Sequence, residues 1–341
     1  MHRADKAVLR LGVGMGVSVL LAYGLSLPAP FVVCILAVLM LCKPGPPIPF
    51  MKGVVLALVI GALLVAGVLM VPLLENYRVT GVLLTAVLLY TLFFAGARNA
   101  SPLTTILVAA VTFIPVAGVL EQALASQLAL AFTVGVGTGV LVNGFSHALF
   151  PDVPGTVNVP PAPPAVSAEA AGWSALQATL VVMPVFVLAL THPSFYLPAI
   201  MKTVTAGQQA SATNAQSAGR ELVGSTLVGA FMAVFVWGGL TLRPNLWMLI
   251  LWIVAAAMWA GARLFRARPT SEPPSFWLNA LITMFILLGP GIEDAAVGRD
   301  VYKASAIRVT LYIAVALYAW ATVWALERWR GSRVTRLSRA P

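Results

Sequence analysis

Two arginines stand where an apolar chain accommodates them least: Arg10 about one turn inside the first long apolar run, and Arg308 about one turn inside the last. Threaded through a bilayer, they enter it from opposite faces. A guanidinium buried there needs an anion, either a protein carboxylate or a bound solute. Snorkelling to the nearest headgroups is the alternative, and it is inexpensive close to an interface. Amide side chains are the next candidates. Asn143 and His147 are four positions apart and share a helix face, Gln177 opens the seventh apolar run, and Asn279 shares a face of the eleventh with Thr283. Arg10, Asn143, Gln177, Asn279 and Arg308 form a candidate set for holding a carboxylate or a hydroxyl. Each amide alone is more often interhelical glue worth ~1 kcal/mol. His147 is the one histidine well inside an apolar segment, and an imidazole there could couple a flux to protons.

The elements that must position these residues follow from composition. Of 341 residues, 60% are hydrophobic and 9% are charged, whereas a soluble domain carries roughly 25% charged residues. The expected fold is an all-α polytopic membrane protein. The net charge of +10 would suggest nucleic acid in a soluble protein. Here the bases sit between apolar runs, as inner-side loops require, so the charge reports topology and no nucleic-acid partner is expected. Cys34 and Cys42 fall in or beside one run with no His or acid at ligand spacing, so both read as reduced packing residues and no metal site is expected. GVGMG from Gly12 and GVGTG from Gly135 precede no Lys-Ser/Thr pair and follow no soluble strand, which excludes a nucleotide loop. Their Gly12/Gly16 and Gly135/Gly139 spacings make flat helix faces for close packing, within a protomer or between protomers of a homo-oligomer. With no nucleotide motif, Ser-His-Asp set or ligand cluster, the expectation is neither an ATPase nor any other enzyme, and no cofactor.

Twelve apolar runs are bounded by charge, proline or polar clusters: 7–25, 27–42, 53–74, 79–97, 103–119 and 125–150, then 173–190, 195–204, 222–242, 246–265, 276–288 and 304–326. The Pro/Ala-rich stretch 151–172 can bury almost nothing and reads as a linker. The expected organisation is therefore a six-helix membrane repeat over 1–150, the linker, a second repeat over 173–330 and a basic tail over 331–341. The N-terminal MHRADKAVLR lacks a convincing cleavage site before the next run, so the first helix is expected to be uncleaved and to start in the cytoplasm. Threading twelve spans from that start puts sixteen of the 21 basic residues, Lys202 among them, on the inner side, and both termini in the cytoplasm.

Gly-Ala-Arg closes two runs, at Arg98 and at Arg263, 165 positions apart. Lys52 and Arg220 each stand nine residues before a glycine, Gly61 and Gly229, and are 168 apart. Basic residues at inner helix ends are ordinary, but the near-constant offset points to a duplication. An even number of helices per copy makes the two repeats parallel. The second run of each copy, 27–42 and 195–204, is too short to span and proline-interrupted, the pattern of unwound backbone facing a polar cavity. Fully buried oblique helices would read the same way. No acidic residue falls in the middle of a run, which leaves a carboxylate proton relay poorly supplied. A monoanion leaves a negative-inside cell without protons, driven by about 2.3 kcal/mol per 100 mV, roughly a fifty-fold gradient. Lys52, Arg98, Arg220 and Arg263, with Lys43 and Lys202, would gather anions at a cytoplasmic mouth.

The segments LRLGVGMGVSVLLAYGLSLPAPFVVCILAVLML, KPGPPIPFMKGVVLALVIGALL and SAGRELVGSTLVGAFMAVFVW resemble the fusaric acid resistance protein (FUSC-like) family, which includes aromatic acid exporters. The likeness is an arginine in the first helix, proline and an aromatic opening the second, and a base-to-glycine third helix. It implies a bacterial inner-membrane efflux component for aromatic carboxylates, working with a periplasmic adaptor of the membrane-fusion type and an outer-membrane channel. On the matching motif it carries over Arg10, Lys52 and Arg220, with Arg98 and Arg263 added through the repeat. The short 151–172 segment departs from the large cytoplasmic domain of longer members. A passive organic-anion channel, similar in helix pattern to the plant aluminium-activated malate transporters, and a non-transporting membrane assembly protein are the competing readings.

Overall fold

Hydrocarbon offers no partner to a peptide group, so a long apolar run satisfies its own backbone as a helix. The computed structural model describes residues 3–43, 45–99, 103–151, 167–212 and 215–337. They form α1 (Arg3–Gly24), α2 (Pro30–Leu41), α3 (Phe50–Asn76), α4 (Arg78–Asn99), α5 (Leu103–Leu120), α6 (Gln122–Leu149), α7 (Ala168–Thr191), α8 (Pro193–Ala212), α9 (Ala215–Leu242), α10 (Leu246–Leu264), α11 (Pro274–Ala296) and α12 (Val301–Leu337). Among the described residues, nine helices are long and apolar enough to cross a membrane. Large apolar side chains such as Leu58, Leu69, Leu83, Phe231 and Leu251 point outwards, while Arg10, Asn143, Lys202, Asn279 and Asp294 are buried. That inversion of the usual soluble distribution suits a lipid exterior. The protein is an all-α polytopic membrane protein.

Packing follows one scheme twice. α2 lies on α1 and α6, α3 lies on α4, α5 and α6, and α5 touches α4 and α6. Six helices later, α8 lies on α7 and α12, α9 lies on α10, α11 and α12, and α11 touches α10 and α12. The contacts between halves also come in matched pairs, α1 on α10 with α4 on α7, and α2 on α11 with α5 on α8. Local features agree: Pro115 lies inside α5 and Pro290 inside α11, and Leu27-Pro28-Ala29 ahead of α2 returns as Leu197-Pro198-Ala199 in α8. Glycine permits the closest approach in each half. A Cβ on Gly67 of α3 would sit 2.8 Å from the Ala110 carbonyl oxygen of α5, and one on Gly229 of α9 2.6 Å from that of Ala280 in α11. The other glycine faces are also occupied from within the chain, Gly12 and Gly16 by Met258 and Val254 of α10, and Gly135 and Gly139 by α2.

The start of α1 and the finish of α6 share one end of the bundle. Arg10 donates from Nε to the Phe150 carbonyl oxygen at 2.8 Å and from Nη2 to the same oxygen. The second half closes there too, with Trp173 of α7 stacked on Trp329 of α12 at 6.3 Å between ring centroids. We call this the terminal end and the opposite one the far end.

Three expectations need correction. The linker does not reach residue 172: α7 starts at Ala168, with the Ser167 Oγ accepting from the Ala170 N–H at 3.2 Å, a serine cap that also suits Glu169 in the first turn. Residues 152–166 of that stretch lie outside the described residues. The tail is helical as far as Leu337, because α12 runs on past its apolar part; residues 338–341 lie outside the described residues. The eighth segment is not a ten-residue stub, since α8 covers 20 residues. Its polar side chains do not end it because they face protein: Lys202, Thr203 and Thr205 are buried, and Thr203 and Thr205 return their hydroxyls to the Ala199 and Lys202 carbonyls. Lys202 is consequently removed from the inner mouth and placed inside the bundle. Of the two second helices only α2 is short, 12 residues or about 18 Å against a core of about 30 Å. Ala29, at its N-cap, is left-handed with φ +44° and precedes Pro30.

Candidate functional site

One face of α11 carries polar groups in two places, Ser275, Asn279 and Thr283 in its first half and Asp294 near its end, with apolar Ile286 and Pro290 between them. Ser275, Asn279, Thr283, Ile286, Pro290 and Asp294 follow at intervals of three or four, which aligns them along the helix. At the terminal end, the Ser275 hydroxyl donates to Glu221 of α9 at 3.1 Å, and Arg220 pairs with Glu272. Asn279 donates to the Ser275 carbonyl oxygen at 2.8 Å, and Thr283 to that of Asn279 at 2.7 Å. The Thr283 hydroxyl oxygen in turn accepts from the Lys202 Nζ at 2.9 Å. Lys202 is 0% exposed, and among the described residues no carboxylate forms an ion pair with it. Towards the far end, Asp294 receives Arg308 Nη2 of α12 at 2.6 Å and Arg299 Nη1 at 3.6 Å.

Above Lys202 the halves part to leave a cleft of about 560 Å³. Its walls come from both: Phe31 of α2, Phe113 of α5 and Gln127 of α6 on one side; Leu197 and Met201 of α8, Pro290, Glu293 and Asp294 of α11 and Arg308 of α12 on the other. Phe31 and Met201 hold the same place after the two Leu-Pro-Ala motifs. Two residues of its lining, Met201 and Ile286, are the chain neighbour of Lys202 and a residue one turn from Thr283, which puts the Lys202–Thr283 pair on two of the helices that wall the cleft. Unpartnered hydrogen-bonding groups gather in this region. Arg308 Nη1 and, four residues on along α12, the Tyr312 hydroxyl are buried without a hydrogen-bond partner, as is Asp294 Oδ2 apart from its ion pair with Arg308, and Lys202 has one acceptor for three N–H bonds.

The sequence-derived candidates do not assemble into one site. Arg308 lines the cleft, and Asn279 lies on the polar face of α11. Arg10 is engaged at the terminal end, where a cation satisfies the open carbonyls of a helix C-terminus, and Lys6 adds a bond to the Pro151 carbonyl oxygen at 2.9 Å. Asn143 is buried on α6 with its Oδ1 unpartnered, and its carbonyl oxygen accepts from Ser146 at 3.0 Å and from His147 Nδ1 at 2.9 Å. Gln177 is buried on α7, its Nε2 unpartnered. Of the mouth residues, Arg263 lies over the Trp259 ring at 4.1 Å and Arg98 over the Phe94 ring at 5.9 Å, while Lys52 and Arg220 are exposed. Sequence reasoning puts Lys202 at the inner mouth, whereas it is fully buried, and it does not single out Asp294 or Tyr312. Tyr312 had a legible signal, its four-residue spacing from Arg308, and Lys202 had the apolar neighbours Ile200, Met201 and Val204.

Residues 7–144, which cover most of α1 to α6, match a family described as "Protein of unknown function (DUF2955)". No curated protein and no solved structure matches the chain.

Proposed function

We propose that the chain is a transporter that moves small organic anions, of the aromatic carboxylate class, across a bacterial inner membrane through the interface between two parallel six-helix repeats. The observation that carries this reading is the set of buried polar groups on α11, Asn279 and Thr283 with Lys202 against it, and Asp294 with Arg308 beside a cleft between the halves. Polar and ionisable groups buried inside an apolar bundle are costly to keep and are expected where a polar solute passes. Phe31 and Phe113 supply apolar walls for a ring, and Arg308, which lines the cleft with them, supplies a donor for an oxygen acid. The positive-inside bias supports a cytoplasmic terminal end, which would leave the cleft on the periplasmic side. Outward movement of a monoanion then follows the membrane potential.

The resemblance to the fusaric acid resistance (FUSC-like) family supports the same cargo and adds a periplasmic adaptor as partner. The reading is tested by counterflow of labelled benzoate into proteoliposomes at fixed membrane potential. Saturable exchange is expected. Flux that rises linearly with benzoate would indicate a passive channel, and none above protein-free vesicles would reject transport of this class.

A further inference from the structure

The cleft alone does not select an anion. Arg299 and Arg308 face Glu293 and Asp294, so the formal charges at its rim cancel, and Arg308 is already bound to Asp294 at 2.6 Å. The region still offers hydrogen bonds, but no net attraction. The uncompensated charge lies deeper. Lys202 is fully buried, its Nζ meets the neutral Thr283 hydroxyl at 2.9 Å, and no carboxylate among the described residues is within ion-pair distance. An ammonium in that position loses its hydration without recovering a counter-charge, a cost of several kcal/mol. Nothing in the packing requires a base there. The matching position of the first half, counted from the same Leu-Pro-Ala motif, is Val32, which is also fully buried.

We propose that Lys202 and Thr283 form a second anion site, in the middle of the membrane, whose missing counter-ion is the carboxylate of the cargo. This rests on the transport reading and names the residue that selects for charge. A ring resting against Phe31 and Phe113 brings its carboxylate to Arg308, which lines the cleft with them, and movement past Met201 and Ile286 carries it on to the Lys202 ammonium. One ammonium neutralises one carboxylate, so the site accepts monoanions. A dianion would carry a net negative charge into the apolar centre, with the same penalty that Lys202 suffers alone.

The test uses the full chain in lipid nanodiscs and proteoliposomes, with benzoate as probe and phthalate as its dianionic counterpart. Benzoate is expected to raise the melting temperature of the wild-type protein saturably, and phthalate is expected to have no effect. Lys202→Met is expected to weaken the benzoate-dependent shift at least about tenfold and to abolish counterflow while the unliganded protein melts no lower than wild type; Lys202→Arg, which restores a cation, is expected to recover part of both. Wild-type exchange with Lys202→Met binding and exchanging benzoate within about twofold of it would overturn the Lys202 site and leave the transport reading standing. Lys202-dependent binding without exchange by the wild type would reject transport and sustain the site. Absence of both wild-type binding and exchange would reject both.

Discussion

Replacing Lys202 by methionine should stabilise the unliganded protein, an outcome opposite to the usual result of a core substitution. Methionine matches the length of the lysine stem and adapts to irregular space, so little volume changes at this fully buried position. The interaction lost is one charge-assisted hydrogen bond to the Thr283 hydroxyl at 2.9 Å, worth about 1.5–3 kcal/mol. Thr283 is not orphaned, because its hydrogen already goes to the Asn279 carbonyl oxygen at 2.7 Å. Against that loss stands the relief of desolvating an unpaired ammonium, several kcal/mol. The balance favours methionine by on the order of 1–3 kcal/mol, since replacing buried ionic groups by apolar ones of similar volume is commonly neutral to stabilising by about 1–4 kcal/mol. The measurement is the melting temperature of both proteins in the same lipid without benzoate, with a denaturant titration to fix the sign. A variant that melts several degrees below wild type would mean that Lys202 is matched by interactions other than the one to Thr283, and the account of an uncompensated charge would fall.

Asp294→Asn should destabilise by about 2 kcal/mol: stranding a fully buried partner costs about 3–5 kcal/mol, discounted here for the residual exposure of Arg308, whose side chain is 17% accessible. Adding Arg308→Met should recover most of it in a double-mutant cycle, and additive losses would show that the pair is not coupled. Ala29→Gly should raise stability by about 0.5–1 kcal/mol, because relief of the left-handed conformation, about 1–2 kcal/mol, exceeds the added chain entropy; a lower melting temperature would contradict the +44° φ. Gly289→Ala should cost about 1–3 kcal/mol by overpacking, since its Cβ would stand 2.3 Å from that of Phe31 on α2; a neutral result would mean that α2 and α11 are further apart than described.

Long apolar runs were readable because hydropathy alone commits them to helices, and α3, α4 and α10 lie within a few residues of the expected spans. The offsets of Lys52 with Arg220 and Arg98 with Arg263 suggest two related halves, and the helix contacts of the two halves match in pattern, but these bases occupy helix ends and aromatic faces away from the cleft. What failed was the use of polar residues as boundaries. Thr203, Thr205 and Lys202 are helix-compatible, and their burial depends on what α11 and α12 present to them, which a one-dimensional reading does not contain. Threading also assigns every base to a surface, so it could not find one kept in the interior. Asn279 and Thr283 were legible as a shared face; that the face continues through Pro290 to Asp294 became evident only from α12, whose Arg308 makes a residue near the end of α11 a buried one.

The mismatch between Lys202 and Val32 gives a chain with two similarly packed halves a capacity that a pair of identical six-helix chains lacks. Two identical six-helix subunits would bring either two lysines to the middle, where like charges repel, or two valines and no charge at all. Two halves of different sequence within one chain let one carry the cation while its counterpart stays hydrocarbon. A first half expressed alone and pairing with itself would therefore offer a neutral centre, however well it reproduced the surrounding helices.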